Sequence, residues 1–200
     1  MKKVLRFPEF NAKVIIRQED QPQSPRTSWD NAGVMVCFHS RYSLGDKHSY
    51  SHNDYNGWGE MERAISRKEN VAVILPLYLY DHSGQTISTK PFSCPWDSGQ
   101  VGFIYMTKEQ AIAEFGKKIC TAKVREKALK ILEGEVETYD QYITGEVYEF
   151  VTKTIDTKEE IDSCSGFYGD EVNNGIFDYV SVDGLTIERY TEVFNQANFK

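Results

Sequence analysis

The chain lacks the short motifs that usually identify a chemical reaction. It contains no GxxxxGKS/T phosphate loop, no GxGxxG dinucleotide fingerprint, no GxSxG nucleophile elbow and no HExxH metalloprotease pair. These absences leave phosphate-loop and hydrolase-elbow chemistry without support from any motif. We therefore assign no catalytic residue, and we favour a binding protein over an enzyme.

Cysteine is scarce and long apolar runs are missing. The four cysteines are widely spaced, with no CxxC pair and no zinc-finger spacing, which indicates reduced buried thiols and no metal site. The longest apolar run, residues 71–79, is interrupted by Pro76 and is too short to span a bilayer. The N-terminal MKKVLRFPEF has no apolar stretch of signal-peptide length. We therefore expect a cytoplasmic protein with no membrane contact, and we assign no cofactor.

Composition and the order of the elements predict the fold class. With 200 residues, of which 40% are hydrophobic and 13% aromatic, the chain is long enough to bury a sizeable core. Strand and helix patterns do not alternate as a doubly wound fold requires. We therefore predict an α+β fold, with a mostly antiparallel sheet and two to four helices. The whole chain, residues 1–200, is predicted to form a single compact domain with a loop at residues 21–28.

Local patterns place the elements of this fold. β-rich stretches predict strands over residues 12–17, 33–39, 72–80, 101–106, 145–155, 161–168 and 176–182. Helical spacing predicts helices over residues 59–69, 107–116 and 186–195 and a long helix after residue 121. Pro76 predicts an edge or a bulge, and Gly134 predicts a bend or an end in the long helix. Thr157 and Glu160 also fit a capping box, so a short helix remains the alternative to the strand at 161–168.

Charge is unevenly distributed along the chain. The first 100 residues carry 12 basic and 11 acidic residues, whereas residues 133–200 carry four basic and 16 acidic residues. Nucleic acid is a poor direct partner for this acidic third, because its field repels phosphate. A basic protein surface is the partner that it predicts. One helical segment has the opposite, positive charge. It carries Lys117, Lys118, Lys123, Arg125, Lys127 and Lys130.

Carboxylates after residue 145 are the candidates for contact with such a partner. In proteins that mimic nucleic acid, carboxylates occupy the phosphate-binding cleft of the partner. The alternative interpretation is an ordinary solvated acidic face. The predicted partner-binding residues are Glu146, Glu149, Glu159, Glu160, Asp162 and Asp170.

Titratable and aromatic residues are concentrated in one third of the chain. All four histidines and all three tryptophans lie between Trp29 and Trp96. Imidazoles and carboxylates hold metals or transfer protons, and an indole beside a carboxylate stacks on planar ligands. The alternative is that the histidines and aspartates serve loops and turns and that the tryptophans lie in the core. The predicted ligand-binding residues are Trp29, Asp30, His39, Asp46, His48, Asp81, His82, Trp96 and Asp97.

Several longer stretches carry a resemblance to a known family. They are WDNAGVMVCFHSRYSLGD, LPLYLYDHSG, PFSCPWDSGQVGFIY, EVETYDQYITGEVY and DSCSGFYGD, and they extend from Trp29 to Asp170. Together they resemble a widespread family of phage and prophage proteins with no established activity. The resemblance implies a phage-borne accessory protein that acts in the bacterial cytoplasm. Small acidic phage proteins of this kind are similar in role to inhibitors of host defence, such as anti-CRISPR or antirestriction proteins.

Three functional hypotheses follow from these residues. The first is a phage accessory protein whose acidic third binds and blocks a host protein with a basic surface, such as a nucleic-acid-handling defence complex. The second is a small-ligand or metal-binding protein, or an enzyme, that uses the His/Asp/Trp-rich segment at residues 29–99. The third is a structural or assembly component of the virion or the replication machinery. The sequence leaves the oligomeric state open.

Overall fold

The strands of the protein form two antiparallel sheets. The structure, a computed structural model, describes residues 2–170 and 174–197 of the chain. Each sheet has four strands, and helices pack on both sheets, which confirms the predicted α+β class. The strands are β1 (Lys2–Phe7), β2 (Ala12–Gln18), β3 (Val34–Cys37), β4 (Val71–Asp81), β5 (Gln85–Ser88), β6 (Ser98–Thr107), β7 (Val147–Thr154) and β8 (Glu160–Tyr168). The helices are α1 (Pro25–Ser28), α2 (Trp58–Lys68), α3 (Lys108–Glu114), α4 (Ala122–Thr144), α5 (Ile176–Tyr179) and α6 (Ile187–Gln196).

Contacts between residues divide the chain into two compact units. The central unit comprises residues 24–144, and the terminal unit comprises the described residues 2–23, 145–170 and 174–197. In the sequence, the central unit is an insertion between β2 and β7. These two strands pair directly, with Gln18 opposite Tyr148, so the terminal sheet is continuous across the insertion. The expectation of one domain over residues 1–200 stays a prediction.

The terminal unit buries one face of its sheet. The strand order is β1-β2-β7-β8, and the alternation of side chains places Leu5, Val14 and Phe150 on the same buried face. Helix α6 adds Tyr190 and Phe194 to this core. The opposite face of the sheet mixes charged side chains with half-buried valine and isoleucine side chains. The unit therefore has a hydrophobic core of its own.

The central unit has a core on each face of its sheet. The strand order is β3-β6-β4-β5. On one face, Leu132 and Val136 of α4 pack against the sheet, and on the other face Met61 and Ile65 of α2 do so. Burial on both faces explains the nearly continuous apolar sequence of β4 and β6.

Pro76 occupies a position in β4 at which no backbone N–H donor is needed. It sits in β4 opposite Phe103 of β6, while β5 pairs with β4 only from Tyr78 onward. The missing N–H of Pro76 therefore faces no strand partner, and a bulge follows between Leu77 and Tyr78. The sequence prediction of an edge or a bulge is confirmed, because both occur here.

Two local predictions are wrong. Residues 176–179 form one helical turn, α5, instead of a strand, because Ile176 and Val180 have helical i, i+4 spacing and both pack on the terminal core. The loop predicted at residues 21–28 ends early, because Pro25 begins the single turn of α1. The Ser24 hydroxyl caps that turn by accepting from the Arg26 N–H at 3.3 Å.

The other ambiguous positions have clear outcomes. Helix α4 continues through Gly134, because buried residues on either side of it hold the helix against the sheet. Residues 160–168 form strand β8 of a hairpin with β7, and the alternative short helix after Thr157 does not form. The capping box between Thr107 and Gln110 is present at the start of α3, as predicted. In the described part of the chain, no helix combines the length and apolar character that crossing a bilayer demands.

Candidate functional site

Three loops of the central unit meet at one end of its sheet. They are residues 38–57 after β3, the β4–β5 turn at residues 82–84, and residues 89–97 before β6. The strand register brings them together, since Cys37 lies opposite Gly102 and Tyr80 lies opposite Ser98. Loops held by a rigid sheet are a common place for binding residues. The predicted residues in or next to these loops are His39, Asp46, His48, Asp81, His82, Trp96 and Asp97.

The loop after β3 borders an open cleft. The cleft has a volume of about 940 Å³. Its lining combines imidazoles, two cations and aromatic rings. These side chains include His39, His48, His52, Arg41, Lys47, Phe38 and Trp58. Cations beside aromatic faces suit a ligand that has a ring and a negative charge.

His39 is held by its own loop. Its Nδ1 accepts hydrogen bonds from the backbone N–H groups of Arg41 and Tyr42, both at 3.3 Å. The imidazole also stacks on Tyr42, with ring centroids 4.7 Å apart. Because Nδ1 is the acceptor, the neutral ring carries its proton on Nε2. His39 therefore presents Nε2 as a hydrogen-bond donor.

His48 and His52 belong to an aromatic wall around Phe38. The His48 ring lies 4.8 Å from Phe38, and its Nε2 is 2.9 Å from the Cys37 carbonyl oxygen. His52 meets Trp58 edge-on, with centroids 4.8 Å apart. Nδ1 of His48 is buried and has no hydrogen-bond partner among the described residues. These contacts give His48 and His52 a packing role in the wall of the cleft.

A buried arginine anchors the loop that borders the cleft. The Arg26 side chain is only 2% exposed, and its Nε and Nη2 donate to Asp46 at 2.9 and 2.5 Å. Its Nη1 donates to Glu135 at 2.7 Å. Burial opposes the charge of Arg26, but the two carboxylates outweigh it and raise the pKa of the guanidinium. Asp46 also accepts from the Met35 N–H. The structure thus gives Asp46 an anchoring role in this network, while its ligand-binding role stays a prediction.

Asp81, His82 and Asp97 pair across the loops. Asp81 accepts from Arg41 Nη2 at 2.5 Å, while His82 Nδ1 lies 3.3 Å from Asp97 Oδ2. Asp81 and His82 are adjacent in sequence, yet each has a partner from a different loop. The Cys94 thiol lies 3.7 Å from the same Asp97 oxygen. These pairs connect all three loops at this end of the sheet.

Trp29 and Trp96 lie at opposite ends of the central sheet. Trp96 precedes the start of β6, whereas Trp29 precedes β3, which begins opposite Tyr105 near the end of β6. Seven residues of strand separate these levels, which is about 23 Å. Trp96 is 91% exposed and Trp29 is 46% exposed. Trp29 and the exposed Asp30 therefore do not join the other predicted ligand-binding residues.

The thiol and carboxylate groups of the site do not form a metal centre. Among residues 2–170 and 174–197, no three His, Cys, Asp or Glu side chains are placed to hold one ion.

Burial, with a smaller contribution from Asp46, raises the pKa of the Cys37 thiol to about 12, although Arg26 opposes this shift. Cys37 is therefore a neutral thiol at pH 7 and a poor nucleophile.

The predicted acidic residues lie at two ends of the β7–β8 hairpin. Glu146 and Asp170 flank the end at which Val147 pairs with Tyr168. Glu159, Glu160 and Asp162 lie at the turn end. The length of β7 separates the two groups by about 23 Å. Five of the six carboxylates therefore lie in two separate groups and not in one continuous patch, while Glu149 lies within β7.

Two of these carboxylates lie beside cations on the solvent face of the terminal sheet. Glu149 forms an ion pair with Arg17, its cross-strand partner. Glu160 lies 3.8 Å from Lys153. The neighbouring cations partly neutralise Glu149 and Glu160. These two carboxylates therefore contribute less negative potential than the number of acidic residues in the sequence suggests. Glu146 and Glu159 are exposed at the two ends of the hairpin.

Compared with protein-family models, curated proteins and solved structures, the chain matches none of them. The resemblance to phage and prophage proteins therefore stays a prediction.

Sequence reasoning overlooked the cations of the site. Arg26 anchors the cleft loop and Arg41 joins it to the β4–β5 turn, yet neither lies in a motif with a known chemical role. Both pair with carboxylates that are distant in the sequence, by 109 residues for Arg26 and Glu135 and by 40 residues for Arg41 and Asp81. Trp58 also lines the cleft, although it was not among the predicted ligand-binding residues.

Proposed function

We propose that the protein is a phage-encoded accessory protein that binds and inhibits a host factor in the bacterial cytoplasm. The host factor would be a nucleic-acid-handling defence complex, of the kind that anti-CRISPR or antirestriction proteins block. The observation that carries the proposal is the 91% exposure of the Trp96 side chain. Trp96 lies on a loop that paired side chains hold in place. Tryptophan is among the residues that contribute most to protein interfaces, and an indole in water gains no burial energy.

The exposed carboxylates support the same proposal. The acidic clusters at both ends of the β7–β8 hairpin would attract a partner with a basic surface and accelerate its association. Host proteins that handle nucleic acid present such surfaces. In this proposal Trp96 supplies a desolvated anchor, while Glu146, Glu159 and Asp170 supply charge complementarity.

Affinity purification of the tagged protein from its bacterial host tests the proposal. A stoichiometric host protein should co-elute with the wild type, and Trp96→Ala should reduce its yield at least tenfold, as loss of a central anchor does. Ile187→Ala is the matched control, because Ile187 is a 60% exposed apolar residue on α6. The proposal is wrong if Trp96→Ala and Ile187→Ala retain the partner equally. Co-elution of phage proteins alone would favour the assembly role.

Charge reversal tests the contribution of each acidic cluster. Glu146→Lys with Asp170→Lys reverses one end of the hairpin, and Glu159→Lys with Asp162→Lys reverses the other. A cluster that meets the basic partner should slow association when reversed, and the loss should shrink at high salt. Unchanged association for both double variants would remove the acidic surface from the proposal.

A second candidate function, small-ligand binding, is favoured by the cleft. Arg41, Lys47 and His39 offer donors beside the aromatic faces of Phe38 and Trp58. AMP is a suitable probe, because it combines a planar ring with a negative charge. In a Trp29→Phe, Trp96→Phe background, AMP should change the fluorescence of Trp58, and Arg41→Ala with Lys47→Ala should abolish the change. No response to AMP in this background would count against a site for such ligands.

A further inference from the structure

A lysine-rimmed apolar pocket lies between α3 and α4. Its volume is about 260 Å³. Phe115, Ile119 and Val124 supply its apolar surface. Ile119 is 68% exposed, which is unusual for an isoleucine. We call this site the basic pocket, because its rim is formed by Lys117, Lys118, Lys123 and Lys127.

The charges of the basic pocket have one sign. The four rim lysines are exposed, and the described lining contains no acidic side chain. The first turn of α4 adds the partial positive charge of a helix N-terminus. Apolar surface inside a ring of ammonium groups favours an apolar side chain that is flanked by carboxylates.

The turn end of the β7–β8 hairpin has the complementary pattern. Ile161 is 49% exposed, and its sequence neighbours are Glu160 and Asp162. Glu159 adds a third carboxylate. We call residues 159–162 the acidic segment. Lys153 contacts Glu160 only at 3.8 Å, so most of the negative charge remains available for another surface.

We propose that the acidic segment of one copy of this protein docks in the basic pocket of a second copy. Ile161 enters the pocket beside Ile119 and Phe115, and the flanking carboxylates pair with the rim lysines. The apolar contact supplies burial, and the ion pairs set the orientation. Because the two surfaces differ, the contact is heterologous, and repeated contacts produce a closed ring or a chain of copies. The proposal does not depend on the proposed host target.

Sedimentation of the wild-type protein provides the first test. The average mass should rise with protein concentration at about 0.05 M salt and return to that of the monomer at about 0.5 M salt, where charges are screened within about 4 Å. A monomer at every concentration in low salt would overturn the proposal. Association that is insensitive to salt would also overturn it, because the pairing rests on opposite charges.

Charge exchange identifies the two surfaces. Lys118→Glu with Lys123→Glu should abolish association, and so should Glu159→Lys with Glu160→Lys. One chain with all four substitutions should regain part of the association, because the two carboxylates introduced at the rim can pair with the two lysines introduced in the segment. Glu133→Lys with Glu137→Lys is the matched control on the exposed side of α4 and should associate like the wild type. Failure of the fourfold variant to regain association, with an unchanged melting temperature, would contradict the proposal.

Discussion

At the scale of single residues, the most constrained polar group is Arg26. Its guanidinium makes hydrogen bonds to two carboxylates and to the Gly33 carbonyl oxygen inside the central unit. Glu135 also accepts from the N–H groups of Ala32 and Gly33. The network therefore ties the start of β3, the cleft loop and α4 together. The network stabilises the fold only when all of its members are present, because the removal of one partner leaves a buried charge without its counter-charge.

Replacement of Arg26 should be strongly destabilising. Arg26→Ala leaves Asp46 and Glu135 without their cation, and we expect the free energy of unfolding to fall by about 3–5 kcal/mol. Arg17→Ala removes the exposed ion pair with Glu149 and should cost less than about 1 kcal/mol. Urea denaturation of both variants measures the difference. Equal losses would contradict a structural role for the Arg26 network.

Asp140 predicts a pH dependence of stability. Burial raises its pKa above the usual value, although hydrogen bonds from Ile87 N–H and the Thr86 hydroxyl oppose the shift. A carboxyl with a raised pKa favours folding most at low pH, below its unfolded pKa, and this contribution falls as the pH rises through the folded pKa.

Asp140→Asn should remove this dependence. The amide keeps an acceptor oxygen for Ile87 and Thr86 but carries no charge at neutral pH. We expect the variant to gain stability relative to the wild type between pH 4 and pH 7. Thermal unfolding at these two pH values checks the sign. A constant difference between the two proteins would show that Asp140 titrates normally.

At the scale of elements, two glycines have opposite roles. Gly134 lies on the exposed side of α4, and a Cβ added there would meet no atom within 4 Å. Gly102 lies in β6, where a Cβ would come 1.9 Å from the Val36 carbonyl oxygen of β3. The first glycine weakens its helix by flexibility alone, whereas the second allows two strands to approach each other.

Alanine substitution should therefore change stability in opposite directions. Gly134→Ala should raise the free energy of unfolding by about 0.5–1 kcal/mol, because alanine loses less backbone entropy in a helix. Gly102→Ala should lower it and shift β3, because the strand cannot yield without losing its pairing. Chemical denaturation of the two variants in parallel measures both signs. A loss of stability in Gly134→Ala would mean that this glycine has a contact beyond its helix.

The elements that the sequence predicted well are those with strong local signals. Strands β4, β6 and β7 carry long β-branched or alternating runs, and α3 carries a complete capping box. Helix α5 was missed because four residues give little periodicity, and the core that Ile176 joins is built by distant strands. Local patterns predict elements, but tertiary packing decides short ones.

At the scale of the whole molecule, each unit has its own core. The central unit contains the apolar clusters on both faces of its sheet, and the terminal unit contains the cluster under α5 and α6. The strands that flank the insertion pair with each other, so the chain enters and leaves the central unit at neighbouring positions. These features are typical of an inserted domain.

The central unit should fold when it is expressed alone. We expect residues 24–144 to show helical circular dichroism and one cooperative thermal transition, because their cores are complete. The full chain serves as the reference. An unfolded fragment would instead favour the prediction of a single domain over residues 1–200.

The sequence by itself determined the α+β class, most strands, the capped helix α3 and the concentration of histidine and aspartate in loops. These features depend on local periodicity and turn chemistry, which are determined by residues close together in the sequence. Only the tertiary structure decided which residues meet. In the tertiary structure, Asp46 pairs with Arg26 and His82 pairs with Asp97. Trp29 and Trp96 lie at opposite ends of the central sheet, and most of the predicted acidic residues lie at the two ends of the β7–β8 hairpin. Such pairings depend on strand order and register, which arise from the burial of distant side chains and have no signature in any single segment.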